Sequence, residues 1–370
     1  FVDYGLKKIK SDAATLDIST EQKDGKLQIN SFVFSGEKLS VKGSATLTDN
    51  FSTVASLQLS EAKFAENNIA SLNYANNNGV TQIEVKGSSV DMTSYLAASS
   101  GGFSFQNFPA VNIKADVGKL RLDKDRVLAS LKGEIFCDKA ICQNANFTGT
   151  TETRKPFSVK IFRNNNQRKI AVTSEDAGAF LYSMGVLDGM NGGTLSINGD
   201  YKDDGTGVLI GKMMISEHSI KDAPLLGKIL SLASLTGFID ALQGNGIRFK
   251  ELNIPFYIRN DVITLEKGKT YGSAIGITVD GTITFPKKFM DLQGTVVPSY
   301  TLNNVLGNVP ILGDMLVGGE GQGVFAARYS IKGIEDKADV SVNPLSILTP
   351  GFLRGLFDIF DKPAKTHDAK

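Results

Sequence analysis

The sequence predicts a mostly β protein, an elongated, curved antiparallel sheet shaped as a groove, with two or three short apolar helices. Three observations predict it. Polar and apolar residues alternate with period two in segment after segment, which places the apolar side chains on one face of a sheet. Strand-like runs repeatedly reach a glycine and continue through it, the mark of a bulge or bend. Very apolar inserts interrupt the strands: Pro224-Leu225-Leu226-Gly227-Lys228-Ile229-Leu230 returns as Pro310-Ile311-Leu312-Gly313-Asp314-Met315-Leu316. Connectors rarely need such greasy inserts, so these point to a scaffold with a large apolar surface to cover, seal or fill.

The alternation begins early, in Thr15-Leu16-Asp17-Ile18-Ser19, Lys26-Leu27-Gln28-Ile29-Asn30, Glu37-Lys38-Leu39-Ser40-Val41 and Ser56-Leu57-Gln58-Leu59-Ser60. The second face of these runs carries Lys, Gln, Ser, Thr and Asn, which suit water, as in an antiparallel sheet covered on one side. The interrupting glycines are Gly43, Gly87, Gly133, Gly199, Gly281 and Gly333, each after a strand-like approach such as Val41-Lys42 or Ile331-Lys332. Repeated bends of this kind curl a long sheet into a trough. Lys23-Asp24-Gly25, Asn77-Asn78-Gly79 and Asp203-Asp204-Gly205 read as hairpin turns.

Helical signals are few. Asp176 is placed to cap a short helix through Phe180, Leu181, Met184 and Leu187, stopped near Asn191-Gly192-Gly193. Pro224 opens a second helix running to Gln243 and stopped by Gly244. It is apolar nearly all round through Leu225, Leu226, Ile229, Leu232, Leu235, Phe238 and Ile239. A helix of that kind is buried in protein or faces lipid. Two roles stay open for it, a lid at a groove end and a core helix packed on the sheet. Residues 302–317 form a shorter, more broken version. At 352–360, Phe352, Leu353, Leu356, Phe357 and Phe360 share one face, opposite Arg354, Asp358 and Asp361. That helix suits a membrane surface, the sheet or a partner protein. Residues 362–370 read as a tail. Three regions result: a β-repeat region at 1–165, a second region at 166–345, and the amphipathic helix with the tail at 346–370.

Composition narrows the function. The 370 residues are 41% hydrophobic and 21% charged, with net charge +1. A nucleic-acid binder needs a basic stripe, which this balance does not suggest. No run reaches the roughly 18 uninterrupted apolar residues of a membrane span. Opening on Phe1 rather than Met, the sequence reads as a processed or excised piece. Cys137 and Cys142, the two cysteines, sit close together among strand-like residues. Their spacing fits a disulfide across a hairpin, which implies an oxidising compartment; two reduced thiols are the alternative. The two histidines, His218 and His367, lie far from them, so no Cys/His zinc cluster is expected, nor any other metal or cofactor. No nucleophile motif accompanies His218, and Gly318-Gly319-Glu320-Gly321-Gln322-Gly323 lacks the Lys-Ser/Thr of a phosphate-binding loop. The expectation is a protein that is not an enzyme.

Specific segments carry a resemblance: Asp176-Ala177-Gly178-Ala179-Phe180-Leu181, Lys221-Asp222-Ala223-Pro224-Leu225-Leu226, Leu232-Ala233-Ser234-Leu235-Thr236-Gly237, Val296-Val297-Pro298-Ser299-Tyr300, Val309-Pro310-Ile311-Leu312-Gly313, Ser341-Val342-Asn343-Pro344-Leu345-Ser346 and Thr349-Pro350-Gly351-Phe352-Leu353. From about residue 170 to 357 the chain resembles the AsmA-like C-terminal region of large Gram-negative envelope proteins. The resemblance implies a bridge-like lipid-transfer protein of the periplasm. Its inner-membrane anchor would lie upstream, and phospholipid would move along a β-groove toward the outer membrane, where a partner protein is possible. It carries over no catalytic residue. Two strands read as groove lining: Leu252, Ile254, Phe256 and Ile258, then Ile275, Ile277, Val279, Ile283 and Phe285. The alternation alone fits an ordinary dry core equally well, and the resemblance favours the groove. A structural or assembly factor for the outer membrane or its proteins is the alternative function.

Overall fold

The computed structural model describes residues 13–48, 52–77, 79–98, 110–138, 141–202, 207–285, 287–298 and 324–348. Its first half holds β1 (Ala14–Lys23), β2 (Lys26–Gly36), β3 (Leu39–Thr48), β4 (Thr53–Phe64), β5 (Asn67–Asn77), β6 (Val80–Asp91), α1 (Thr93–Ala98), β7 (Val111–Asp123), β8 (Arg126–Asp138), β9 (Ile141–Thr150), β10 (Pro156–Asn164) and β11 (Gln167–Ser174). After these come α2 (Ala177–Ser183), β12 (Met190–Tyr201), β13 (Leu209–Ile220), α3 (Pro224–Leu232), α4 (Thr236–Gln243), β14 (Ile247–Arg259), β15 (Val262–Tyr271), β16 (Ile275–Thr284), β17 (Phe289–Pro298), β18 (Val324–Ile334) and β19 (Asp339–Leu348). The strands form one long, open, curved sheet, as the sequence predicts.

Strand order follows chain order throughout, each strand pairing with the one before and the one after. One pair departs from the antiparallel expectation. β6 and β7 run parallel, with Thr81 opposite Val111 and Val85 opposite Ala115. A parallel pair needs a crossover rather than a hairpin. The connection at 92–110 supplies it, starting in α1, and Thr81 donates its N–H to the Ala110 carbonyl at 2.9 Å.

The turns follow local chemistry. Asp24 and Gly25 both take positive φ, 51° and 73°, between β1 and β2, and Gly79 takes 81° between β5 and β6. Such φ values suit Asp, Asn and Gly and match the twist of paired strands. The predicted turn at 203–205 lies outside the described residues, as do the segments 302–317 and 352–360.

Both helix expectations need correction. The Asp176 carboxylate does cap α2, accepting the Ala179 N–H at 3.0 Å. The helix nevertheless ends at Ser183, well before Asn191, because Gly185 turns the chain at φ 68° and Met190 already begins β12. The single helix expected from Pro224 to Gln243 is two. Ser234, at φ 57°, breaks it between α3 and α4, and Gly244 does end the second.

The two long rims of the sheet differ. Following the register, one rim carries brief connections such as 24–25, 165–166, 260–261 and 335–338, and receives the end of the crossover at 110. The other carries the start of the crossover at 92, the α2 segment at 175–189, the α3–α4 segment at 221–246 and the departure of 299–323. Among the described inserts, the α2 and α3–α4 segments therefore enter from the same side of the trough.

Candidate functional site

The candidate site is the apolar face of the sheet, and register shows how far it extends. Ile18 on β1 faces Phe32, and direct partners then step through Gly43, Leu59, Leu72, Val85 and Ala115 to Gly133 on β8. From there the row continues through Phe147, Val159, Val172, Ile197 and Met213 to Ile254 on β14. Two positions along β14, Phe256 faces Leu265, followed by Gly281, Leu292, Ile331 and Val340 on β19. Every member is apolar or glycine. Because side chains alternate between faces, one row of partners marks one face.

The glycines in this row fit their surroundings. A Cβ on Gly43 would run into the Gln58 carbonyl, one on Gly133 into the Asn146 carbonyl, and one on Gly281 into the Asp291 carbonyl. A missing side chain lets adjacent backbones approach on the inner face, which suits inward curvature.

The opposite face is charged. Directly opposed pairs on that face include Lys42 with Glu61 at 3.3 Å, Lys132 with Asp116 at 3.0 Å, Lys169 with Asp200 at 2.7 Å and Lys332 with Asp291 at 3.0 Å. Exposed pairs of this kind add little stability each. They keep that face wet and fix which face is which. The Ser40 hydroxyl, with Lys63 and Lys42, holds the Glu61 carboxyl down to about 2. A shallow depression of about 300 Å³ is lined by polar residues such as Gln58, Asn73, Glu84 and Lys114 together with Tyr74 and Ile83.

Burial along the apolar face is uneven. In β2 to β6 the lining is largely half-buried, as at Phe32, Phe34, Leu59, Leu72 and Val85, around the buried Val41, Ala62, Ile69, Val90 and Val117. Farther on, helices lie across it. Phe180 and Leu181 of α2 pack among Leu128, Phe157, Leu195, Ile215, Leu252 and Ile254, with the Phe157 and Phe180 rings 5.1 Å apart. Ser183 ties α2 to β8 by donating its hydroxyl to the Val127 carbonyl at 2.9 Å, and Arg126 pairs with Asp188 at 3.2 Å. Ile229, Leu230, Ala233, Leu235 and Leu242 of the α3–α4 segment pack on Ile247, Phe249, Ile275, Val296, Ala327 and Tyr329. The three apolar clusters are continuous: Leu120 touches the first two, and Ile220, Leu265 and Val279 join the second to the third.

The residues expected to line a groove fall as follows. Leu252 and Ile254 are buried next to α2, while Phe256 and Ile258 are half-buried farther along β14. The Phe256 ring occupies the space that a side chain on Gly211 would fill. Ile275 is fully buried, and Ile277, Val279 and Ile283 are half-buried against the α3–α4 cluster. Phe285 lies in the turn beyond β16, its N–H donating to the Asp261 carbonyl at 2.9 Å. Of the helix residues, Ile229 and Leu235 are buried, and Leu225, Leu226, Phe238 and Ile239 are half-buried on the sheet. Leu232 is not brought to the sheet; it is 51% exposed, because it lies off the helix face that Ile229, Leu230 and Ala233 bury.

Sequence reasoning named only β14 and β16 as lining, although the same alternation is legible in β2 to β6. It also missed His218. Burial pushes its imidazole down to about 4, its ring stacks on Phe249 at 5.4 Å, and Nδ1 has no partner among the described residues. Neither a rim arginine, Arg168, buried over the Tyr201 ring at 4.0 Å, nor Tyr329, whose hydroxyl donates to the Thr278 carbonyl at 2.7 Å, was foreseen. Burial raises both tyrosine phenols.

Cys137 and Cys142 are joined in a disulfide between direct partners on β8 and β9. Among the described residues, no group of three His, Cys, Asp or Glu side chains is placed to hold a metal, and no helix is long and apolar enough to cross a membrane. No family model, curated protein or solved structure matches the chain.

Proposed function

We propose that this chain is a non-enzymatic lipid-handling protein of the AsmA-like kind, which carries phospholipid along its apolar face. The proposed setting is the periplasm of a Gram-negative cell, with an inner-membrane anchor upstream. The observation that supports the reading most is the unbroken apolar row from Ile18 to Val340, backed by a charged opposite face. An acyl chain in water is unfavourable by roughly 0.8 kcal/mol per exposed CH₂. A continuous apolar path removes that penalty at every point along it. A dry core has no need to run unbroken across so many strands, and most of its residues would be buried rather than half-buried.

The test is native mass spectrometry with lipid extraction on protein purified from bacterial envelopes, alongside uptake of a fluorescent phospholipid. Phe256→Asp and Ile277→Asp should lose co-purified lipid while circular dichroism remains that of a folded sheet. Ser196→Asp, on the charged face, should keep it. A folded, lipid-free protein that takes up no labelled phospholipid would overturn the reading and favour a structural or assembly role.

A further inference from the structure

We infer that the α3–α4 segment is a hinged lid that lifts from the sheet and competes with bound lipid for the apolar face of β14 to β19. The inference of a lipid competitor rests on the proposed function; the hinge itself does not.

Placement comes first. The segment leaves β13 at Ile220 and rejoins β14 at Ile247, and those two residues are direct ladder partners. Its ends are therefore side by side, and the Asp222 N–H donates to the Leu242 carbonyl at 3.2 Å across its neck. A segment closed at its neck can swing without breaking the β13–β14 ladder. Asp222 at φ 52° and Gly246 at φ 83° flank that neck, positions where the backbone already departs from strand geometry.

Its helices are also weakly built. Neither α3 nor α4 has a side-chain cap at its N-terminus, and Ser234 at φ 57° separates them. Each contains a glycine that packing does not require. A Cβ on Gly237 would meet nothing within 4 Å, and one on Gly227 would make ordinary contact with a Leu242 methyl at 3.6 Å. This contrasts with Gly43, Gly133 and Gly281, where a side chain has no room. Glycine within a helix lowers its stability relative to alanine. Where nothing steric demands it, the result is a pair of helices with little stability of their own, held in place by the burial of Ile229, Leu230 and Leu242.

The underside then decides what lifts it. Ile229, Leu230 and Leu242 share one buried apolar cluster with Ile275, Val296 and Ala327, with α3 against β19 and α4 against β14. An acyl chain reaching this stretch must go beneath them. The lid then covers lipid in place of sheet, so the apolar surface bared by its lifting is covered again.

Hydrogen exchange on the intact chain tests the hinge without lipid. Peptides within 224–243 should exchange through an opening that leaves 247–258 and 275–284 protected. Gly227→Ala should slow that exchange about five-fold, the effect of one glycine-to-alanine change within a helix. Adding vesicles of dioleoylphosphatidylcholine should speed exchange in 224–243, and loading of a fluorescent phosphatidylcholine should accompany it. Exchange of 224–243 only with global unfolding would overturn the hinge. Normal loading with unchanged protection of 224–243 would overturn the competition while leaving the lipid reading intact. Absence of any loading, with the hinge opening as expected, would overturn the lipid reading and the competition together.

Discussion

Single residues on the inner face follow two rules, apolar where the row continues and glycine where the backbones close in. His218 breaks the first rule. Buried on Phe249 with its pKa pushed down to about 4, it is neutral in the folded chain at pH 7. Unfolded, the same imidazole titrates near 6.5, so below that pH protons bind the unfolded chain first. Stability should therefore fall as the pH drops from about 6.5 toward 4, by at most about 1.4 kcal/mol per pH unit from this group. Urea midpoints at pH 7 and pH 5 check this, with His218→Phe expected to lose distinctly less stability between them than the parent chain. The sequence showed that His218 lacked a nucleophile beside it. It did not show that the left-handed backbone at Glu217, φ 50°, turns the next side chain into the core.

Elements were legible wherever their cause was local. Alternation marked the strands, all six of the noted glycines lie within strands, and Asp176 caps its helix as read. Elements with distant causes were not. The helix break at Ser234 follows no strong local signal, since Leu232-Ala233-Ser234-Leu235 is compatible with a continuous helix. With the break, Ile229 and Leu230 of α3 and Leu242 of α4 are buried in one cluster on the sheet. The parallel β6–β7 pair depends on how 92–110 crosses, which alternation cannot encode. Spacing did mark the β8–β9 hairpin, and the Cys137–Cys142 bond staples it. Closing so short a loop stabilises by about 2 kcal/mol in the chain-entropy picture. Replacing both cysteines with serine should lower stability by about that amount, read by urea unfolding. It should also raise hydrogen exchange locally at 137–142, with the rest of the sheet unchanged.

At the scale of the whole molecule, a path and a core respond differently to damage. A path is interrupted wherever it is cut. Val85, Val172 and Ile254 lie on one row, on β6, β11 and β14, with Val85 half-buried and the other two buried. An aspartate at any of them should reduce phospholipid transfer between donor and acceptor vesicles to a similar extent. The stability losses should differ, small at Val85 and several kcal/mol at the buried positions, since a buried carboxyl without a partner is costly. Transfer that declines in proportion to lost stability would instead mark the face as a core. The candidate site was legible as a pattern and illegible as an extent. Alternation says which residues share a face, but only register says that the faces of successive strands join.

The neighbour-by-neighbour strand order also governs how this chain reaches its structure. Nearly every ladder closes a hairpin between segments adjacent in sequence, so its loop-closure entropy is small and contact order stays low for a sheet this large. Such an array can zip from any hairpin outward, each strand templating the next, in the manner of a one-dimensional repeat. The steps across 92–110, 221–246 and 299–323 are the exceptions, because the chain must traverse a long insert before Val111 can settle beside Thr81, Ile247 beside Ile220 or Ala327 beside Val296. Those steps carry the largest closure entropies of the array, so they should be the slow ones as the sheet assembles.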